Sequence, residues 1–366
     1  MTDTAMRITL ISGSLPEMPC GVGDYTARLA SALATEGASV RIVTTRDDRV
    51  ASLPAVSVDL ATRNWGTLQV PMLLRAARRG PSDVVHMQYP TVGYRHGLAP
   101  ALLLSALRLL SPGMPLVLTL HEYVHLAPLH RAFVAGMALW AHAAITPDRA
   151  QLQGLRRAPR SVIEEIPLAS NIRPIASTGA RKQSSELVVG SWGMLRPDKG
   201  LDVLIDAFAE VARVRSARLI IAGDPGPDSA YADHLRTLAS ASAVGDRITF
   251  TGRLGEAELS EALSEFDVCV LPYVAGLEAN RGTYAAAVAH GLSIVATTTG
   301  DPGYDARTNT TLVHVEDRTG LVNGIFDAAA RPRLPLVDVD LEWRLIAQRH
   351  LEIYRDLLTT RNRGRT

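Results

Sequence analysis

Short apolar runs alternate with helix-like stretches along the whole chain, and no other feature constrains the fold as much. In the first half the runs are Arg7 to Ser12, Val40 to Val43, Val84 to Met87, Leu116 to Leu120, Ala143 to Ile145 and Val162 to Ile166. In the second they are Leu187 to Val189, Leu219 to Ala222, Ile248 to Thr251, Val268 to Leu271 and Ile294 to Thr297. A parallel strand buried on both faces is apolar throughout, and its return connection needs a helix, so the alternation predicts βα units. Helices are expected at about 25 to 33, 201 to 214, 229 to 241, 256 to 265 and 283 to 290. Residues 174 to 185, PIASTGARKQSS, are polar and aperiodic and read as a linker. At 366 residues the chain exceeds one ordinary core. The expectation is an α/β protein of two doubly wound domains, 1–175 and 186–335, closed by a helix at 341–362. In that last stretch Leu345, Ile346, Leu351, Ile353, Tyr354 and Leu357 recur at helical spacing. Facing domains of this kind gather the loops after their strands around one cleft.

The turn after Val189 carries the densest chemistry. Leu187 to Val189 passes through Gly190, Ser191 and Gly193 into Arg196-Pro197-Asp198-Lys199-Gly200, then into an amphipathic stretch from Leu201. Glycines at a strand-to-helix turn let backbone N–H groups approach a ligand, and a helix start favours negative charge, so such turns hold phosphates. Lys182 and Lys199 are the only lysines among 38 basic residues, and one of them falls here. The plain alternative is a solvated turn, because a lone glycine-rich turn is a weak signal.

Composition excludes several functions. A formal net charge of +1 offers no bulk attraction for nucleic acid. Cys20 and Cys269 are too few and too far apart for a disulfide framework or a cysteine zinc site, which points to a reducing, cytoplasmic setting. The opening MTDTAMRITLISG lacks a signal-peptide core, and the apolar stretch Leu98 to Leu110 is interrupted by Pro100 and Arg108 and too short to span a bilayer. No transmembrane segment is expected; peripheral membrane contact is left open as a local matter.

Several segments taken together resemble the retaining glycosyltransferases of family 4, the group 1 glycosyl transferases with the two-Rossmann-domain architecture called GT-B. They are GMLRPDKG, IIAGDPGPD, ITFTGRLGEAEL, DVCVLPY, GLSIVATTTG and the closing EWRLIAQRHLEIYRDLL. The resemblance covers nearly the whole chain and is densest from Gly190 to Gly300. It implies parallel sheets facing across a cleft, a C-terminal helix returning to the N-terminal domain, an acceptor site in that domain and a nucleotide-sugar site in the other. The co-substrate is a nucleotide-diphosphate sugar, and no metal or other cofactor is required. By match to the motifs, Arg196 and Lys199 stabilise the leaving diphosphate beside Gly193, and Arg253 and Leu254 lie in the segment that meets the nucleotide base. Glu278 is associated with the donor sugar's hydroxyls, Gly21 and Gly23 belong to a glycine loop of the N-terminal domain, and His121 sits at a strand end beside the sugar. Chemistry agrees: breaking a sugar–diphosphate bond leaves a group that gains negative charge, which fixed cations and N–H donors stabilise.

Other readings compete at particular residues. Asp24 serves equally well as a helix cap. His121-Glu122-Tyr123-Val124-His125 satisfies HExxH, but a zinc site of that type needs a helix, and here the motif follows an apolar strand, Pro128 closes it and position 131 is Arg. Asp338-Val339-Asp340 resembles a metal-binding DxD motif yet precedes the last helix, where a linker or N-cap is the simpler account. His290 reads as structural.

Within Glu278 to Gly291 the chain departs from the family pattern: Glu278 takes the place of the first of two glutamates, and Ala286 the place of the second, which contacts the ribose. Arg281, Gly282 and Thr283 at a helix start supply anion-binding chemistry that supplements the diphosphate grip; otherwise Thr283 merely caps the helix and Arg281 is solvated. The function expected is metal-independent, retaining sugar transfer. A silent GT-B binding subunit and a sugar-nucleotide epimerase or hydrolase on the same fold remain as alternatives.

Overall fold

Parallel strand pairing organises both halves of the chain in the computed structural model, which describes residues 5–16, 18, 20–47, 52–95, 97–123, 127–148, 162–175, 186–225, 230–278 and 280–363. Two units result: Met1–Leu168 with Asp340–Thr366, and Ala169–Val339. The segment 176–185 of the expected linker lies outside the described residues.

In the first unit, strands β1 (Arg7–Ile11), β2 (Ser39–Thr45), β3 (Val56–Thr62), β4 (Val84–Tyr89), β5 (Leu116–Leu120), β6 (Ala143–Thr146) and β7 (Val162–Glu165) form one sheet. Its order is β3-β2-β1-β4-β5-β6-β7 and every pairing is parallel. Helices α1 (Gly21–Thr35), α2 (Val70–Ala77), α3 (Ala99–Leu110) and α4 (Pro128–Trp140) connect the strands. Every residue of β4 and β5 is buried, which explains the apolar run of β5 and of most of β4, where His86 and Gln88 are buried polar exceptions.

The second unit repeats the plan with β8 (Leu187–Trp192), β9 (Ala217–Ala222), β10 (Ile248–Phe250), β11 (Val268–Leu271), β12 (Ser293–Thr298), β13 (Gly303–Asp305) and β14 (Thr310–His314). The order is β10-β9-β8-β11-β12-β14-β13, parallel except for the antiparallel β13–β14 pair. Its helices are α5 (Leu201–Val214), α6 (Ala230–Ala241), α7 (Glu256–Glu265), α8 (Gly282–Ala289) and α9 (Arg318–Ala329). On α5, Leu201, Leu204, Ile205, Phe208 and Val211 recur at three- and four-residue spacing and are buried; each such side chain contributes about 1.5–3 kcal/mol of transfer free energy. Gly190 inside β8 is a packing residue, since a Cβ there would come within 2.2 Å of the Phe266 ring.

The last helix, α10 (Val339–Arg363), enters the first unit from Asp340 onward. Tyr354 Oη meets Nδ1 of His86 at 2.6 Å, the Trp343 and Tyr25 rings meet edge to face at 5.1 Å, and Arg344 pairs with Glu36 at 2.8 Å. Asp338 immediately precedes this helix, so the DxD-like run sits at a helix start.

Three local expectations change. The first helix begins at Gly21 instead of Tyr25, which puts Gly21, Gly23 and Asp24 in its first turn and leaves Cys20 at the N-cap. Gly21 and Gly23 therefore do not form a loop ahead of the helix, and Asp24 does not cap it. Strand β3 has polar Ser57 and Asp59 in an edge position, and β14 is rich in threonine and half-buried, so neither shows the apolar run of a central strand.

Candidate functional site

In each sheet the strand order reverses direction beside the first strand, and at such a switch point the adjacent loops diverge and leave a crevice at the carboxyl ends of the strands. In the second unit the switch lies between β8 and β11. The loop after β8 carries Gly193 to Gly200 and the loop after β11 carries Pro272 to Arg281, so residues some eighty positions apart become neighbours. Gly200 locks the two loops: its φ is +62°, and a Cβ there would stand 2.1 Å from the Pro272 carbonyl oxygen.

Tyr273 forms the floor. It is 1% exposed, and its hydroxyl hydrogen-bonds the Thr283 hydroxyl. Lys199 Nζ lies 4.8 Å from the ring centroid and the Arg281 guanidinium carbon 5.0 Å from it, contacts worth about 0.5–2 kcal/mol each. A Cβ at Gly193 would sit 2.8 Å from Thr283 Cγ2 and 3.8 Å from Lys199 Nζ, so a larger residue would crowd both. Arg281 donates to Glu278 at 2.7 Å and reaches Asp198 at 3.5 Å. Arg196 is 58% exposed and bonds Asp198 at 2.9 Å. Three cations thus stand against two carboxylates. Burial, and then the neighbouring Arg281 charge, push the Lys199 ammonium down from 10.5 to about 8. An anion placed here would relieve that strain.

Helix α8 opens onto the same cluster. Arg281 is its N-cap, Gly282 its first residue, and Thr283 lies inside the first turn with its hydroxyl on Tyr273. Thr283 is therefore not the cap, and Arg281 is partly buried and ion-paired instead of solvated. The first-turn N–H groups of Gly282 and Thr283 have no intrahelical acceptor by construction. Trp192 Nε1 donates to the Thr283 carbonyl at 3.0 Å, which ties the end of β8 to α8.

Around the rim, Leu195 N donates to the Asp224 carbonyl at 2.8 Å, and Arg253 approaches the Asp224 carboxylate at 3.9 Å. Leu254 packs on the core cluster that also contains Tyr273 and Ala286. Ala286 is fully buried there, so no open space adjoins its side chain. His290, four residues on, donates from Nδ1 to the Ala286 carbonyl at 2.7 Å, and its Nε2 meets the Ser260 hydroxyl at 2.9 Å, a structural role.

In the first unit His121 follows β5 and is 5% exposed. Its Nε2 lies 2.9 Å from Gln88 Oε1, and the Tyr25 ring meets it edge to face at 4.8 Å. Burial, then the His350 charge, hold its imidazole neutral, down to about 3. His125 of the HExxH run lies outside the described residues, and among the described residues no three His, Cys, Asp or Glu side chains gather as a metal site. Gly23 packs α1 against the Ser14 backbone, where a Cβ would stand at 3.2 Å, whereas a Cβ at Gly21 would meet nothing.

Reading by motif missed Tyr273, Asp198, Trp192 and Gln88 as parts of these clusters. Tyr273 was within reach, since it ends the DVCVLPY segment directly after a buried strand. Gln88 gave no signal beyond being a polar residue in an apolar run.

Comparison with known proteins bears on the family and the fold. Residues 186–330 match the family described as glycosyl transferases group 1, and residues 19–169 match glycosyltransferase family 4. Among solved structures, sucrose-phosphate synthase from Thermosynechococcus elongatus superposes with a TM-score of 0.72 at 20% identity, over 97% of this chain and 100% of that one. HepE from Anabaena in complex with UDP-glucose superposes at 0.68 and 18% identity, over 97% and 99%. The catalytic domain of starch synthase IV from Arabidopsis thaliana, bound to ADP and acarbose, superposes at 0.66 and 12% identity, over 97% and 100%. Among curated proteins no sequence matches.

Proposed function

We propose, from the premise that this chain belongs to the group 1 glycosyltransferases and has the GT-B architecture, that it moves a sugar from a nucleotide diphosphate to an acceptor with retention of configuration and without a bound metal. One observation carries the reading: Lys199 and Arg281 converge on Tyr273 at the switch point of the second sheet, beside the start of α8. As the bond from the anomeric carbon to the β-phosphate oxygen breaks, charge grows on the diphosphate. Lys199, Arg281 and the first-turn N–H groups of α8 are the groups that meet it, already oriented and with little reorganisation left to perform. Arg196, exposed and held by Asp198, acts at the rim and contributes less.

Glu278, fixed by Arg281, accepts hydrogen bonds from the sugar's hydroxyls, and Arg253 with Leu254 meets the base. The nucleotide sugar belongs to the second unit and the acceptor to the first, where His121, neutral and bonded to Gln88, is the polar group at the end of β5. The acceptor hydroxyl bonds to the anomeric carbon and its proton leaves with the diphosphate, so two products form. Two free, buried cysteines accord with a cytoplasmic setting.

Release of nucleotide diphosphate from a panel of nucleotide sugars, measured with and without acceptor hydroxyls and with and without EDTA, tests the proposal. Acceptor-dependent release that persists in EDTA and yields the retained anomer is the expected result. Release independent of any acceptor identifies a hydrolase, and loss in EDTA with recovery on adding a divalent ion removes metal independence.

A further inference from the structure

Helices α3 and α4 of the first unit are apolar on both sides. Toward the core α3 buries Leu103, Leu104 and Leu107, and α4 buries Val134, Met137 and Ala138. Toward solvent α3 presents Leu102, Leu109 and Leu110 at 45%, 66% and 58% exposure, and α4 presents Leu129, Leu139 and Trp140 at 85%, 48% and 37%. The spacings 102, 109, 110 and 129, 139, 140 each return to one helical face, and the two helices pack against each other. Arg108 and Arg131 are the only charged residues on these helices. A helix apolar all round is ordinarily buried, so this outer face is built for an apolar surrounding that the described residues do not supply.

Charge identifies the surrounding. Residues 63 to 142 hold seven arginines and no lysine against two carboxylates, Asp83 and Glu122, in a chain whose net charge is only +1. Asp83 is already paired with Arg7. Arg75 and Arg78, on and just after α2, and Arg95, in the turn before α3, are exposed, and α2 packs against α3. A second copy of the chain docking face to face would set these arginines against one another. A layer with an apolar interior and negative headgroups matches both features at once. No described helix is long and apolar enough to cross a membrane, so the contact lies along the surface.

We propose that the α3–α4 face docks on an anionic lipid bilayer, with the leucines and Trp140 at the boundary between headgroups and acyl chains and the arginines of α2 and the 95 turn on the headgroups. The inference does not depend on the sugar-transfer reading, and its test uses no activity.

The full chain is mixed with vesicles of phosphatidylcholine alone or phosphatidylcholine with phosphatidylglycerol, and its partition is read by flotation and by Trp140 fluorescence. Binding to the anionic vesicles that weakens with salt is expected. Leu109→Glu and Leu129→Glu, on separate helices and both at exposed positions, each lower the partition coefficient about tenfold or more, with melting unchanged. Arg75→Glu and Arg78→Glu lower it about fivefold or more each. Absence of binding to anionic vesicles at low salt overturns the proposal. So does equal binding to both vesicle types, or binding that the leucine substitutions leave intact. A concentration-dependent dimer abolished by Leu109→Glu, with no vesicle binding, assigns the face to a second copy instead.

Discussion

Nε2 of His121 lies 2.9 Å from the amide oxygen of Gln88, whose amide nitrogen lies 3.2 Å from Nε2 of His86. An amide oxygen only accepts, so His121 carries its proton on Nε2; the amide nitrogen only donates, so His86 is unprotonated at Nε2 and donates from Nδ1 to the Tyr354 hydroxyl at 2.6 Å. Donation runs in one direction from His121 to the last helix, and the lone pair of His121 is on Nδ1. Gln88→Leu removes the acceptor. In 15N-histidine spectra the wild-type His121 is expected as the Nε2–H tautomer and the variant as a mixture, with kcat about tenfold lower and donor KM little changed. An unaltered tautomer in the folded variant removes Gln88 from this role. Wild-type transfer by His121→Ala removes His121 itself.

Lys199→Ala and Arg281→Ala are each expected to lower kcat by about 10²- to 10³-fold, as loss of one preorganised donor does at other sites of developing charge. Arg281→Ala also removes the ion pair to Glu278 and the longer contact to Asp198, so its melting temperature falls somewhat, whereas Lys199→Ala relieves a buried charge and leaves melting unchanged or higher. Arg196→Ala loses less than tenfold, because that side chain is exposed and tied to Asp198. Turnover by Lys199→Ala close to wild type, on a verified substrate, displaces the diphosphate from this turn.

The depressed Lys199 ammonium gives the site a pH signature. Folding lowers this group from 10.5 to about 8. Between those values the unfolded chain binds more protons, so this lysine makes stability rise with pH across that window, and its destabilisation is fully present below about 8. Nucleotide affinity runs the other way, since a diphosphate binds the ammonium and not the amine. Affinity for nucleotide diphosphate is expected to fall above about pH 8, and calorimetry near that pH in buffers of different ionisation enthalpy should register proton uptake on binding. Lys199→Met should abolish both effects; a wild-type affinity flat across this range argues that Lys199 does not touch the ligand.

Ala286→Glu would restore the carboxylate that the resembling enzymes place against the ribose. The burial of Ala286 among Leu259, Phe266, Tyr273 and Leu292 favours destabilisation instead. A glutamate there places a carboxyl in a packed apolar cluster, and a stability loss of about 3 kcal/mol or more is expected in denaturant titrations. A variant of unchanged stability that binds nucleotide more tightly would show that the position opens toward the ribose.

Periodicity reached far into this fold. Central strands such as β4, β5 and β11 announced themselves because burial on both faces demands an apolar run, and α5 and α7 were bounded as the structure has them because their spacing and flanking glycines are local signals. Strands β3 and β14 escaped: β3 is an edge strand, and β14, held between β12 and the short edge strand β13, is rich in threonine and only half-buried, so neither carries an apolar run. At the site, the Gly193 to Gly200 turn was legible by itself: glycines, a proline and a lysine between a strand and a helix are a local chemical statement. That Arg281 would lie with Lys199 over Tyr273, that Thr283 would bond the Tyr273 hydroxyl instead of capping α8, and that Ala286 would be sealed in the core were decided only by the tertiary structure. Each of these depends on β11 pairing beside β8, and parallel strands are brought together by long crossovers whose residues carry no local code for which strand ends will meet.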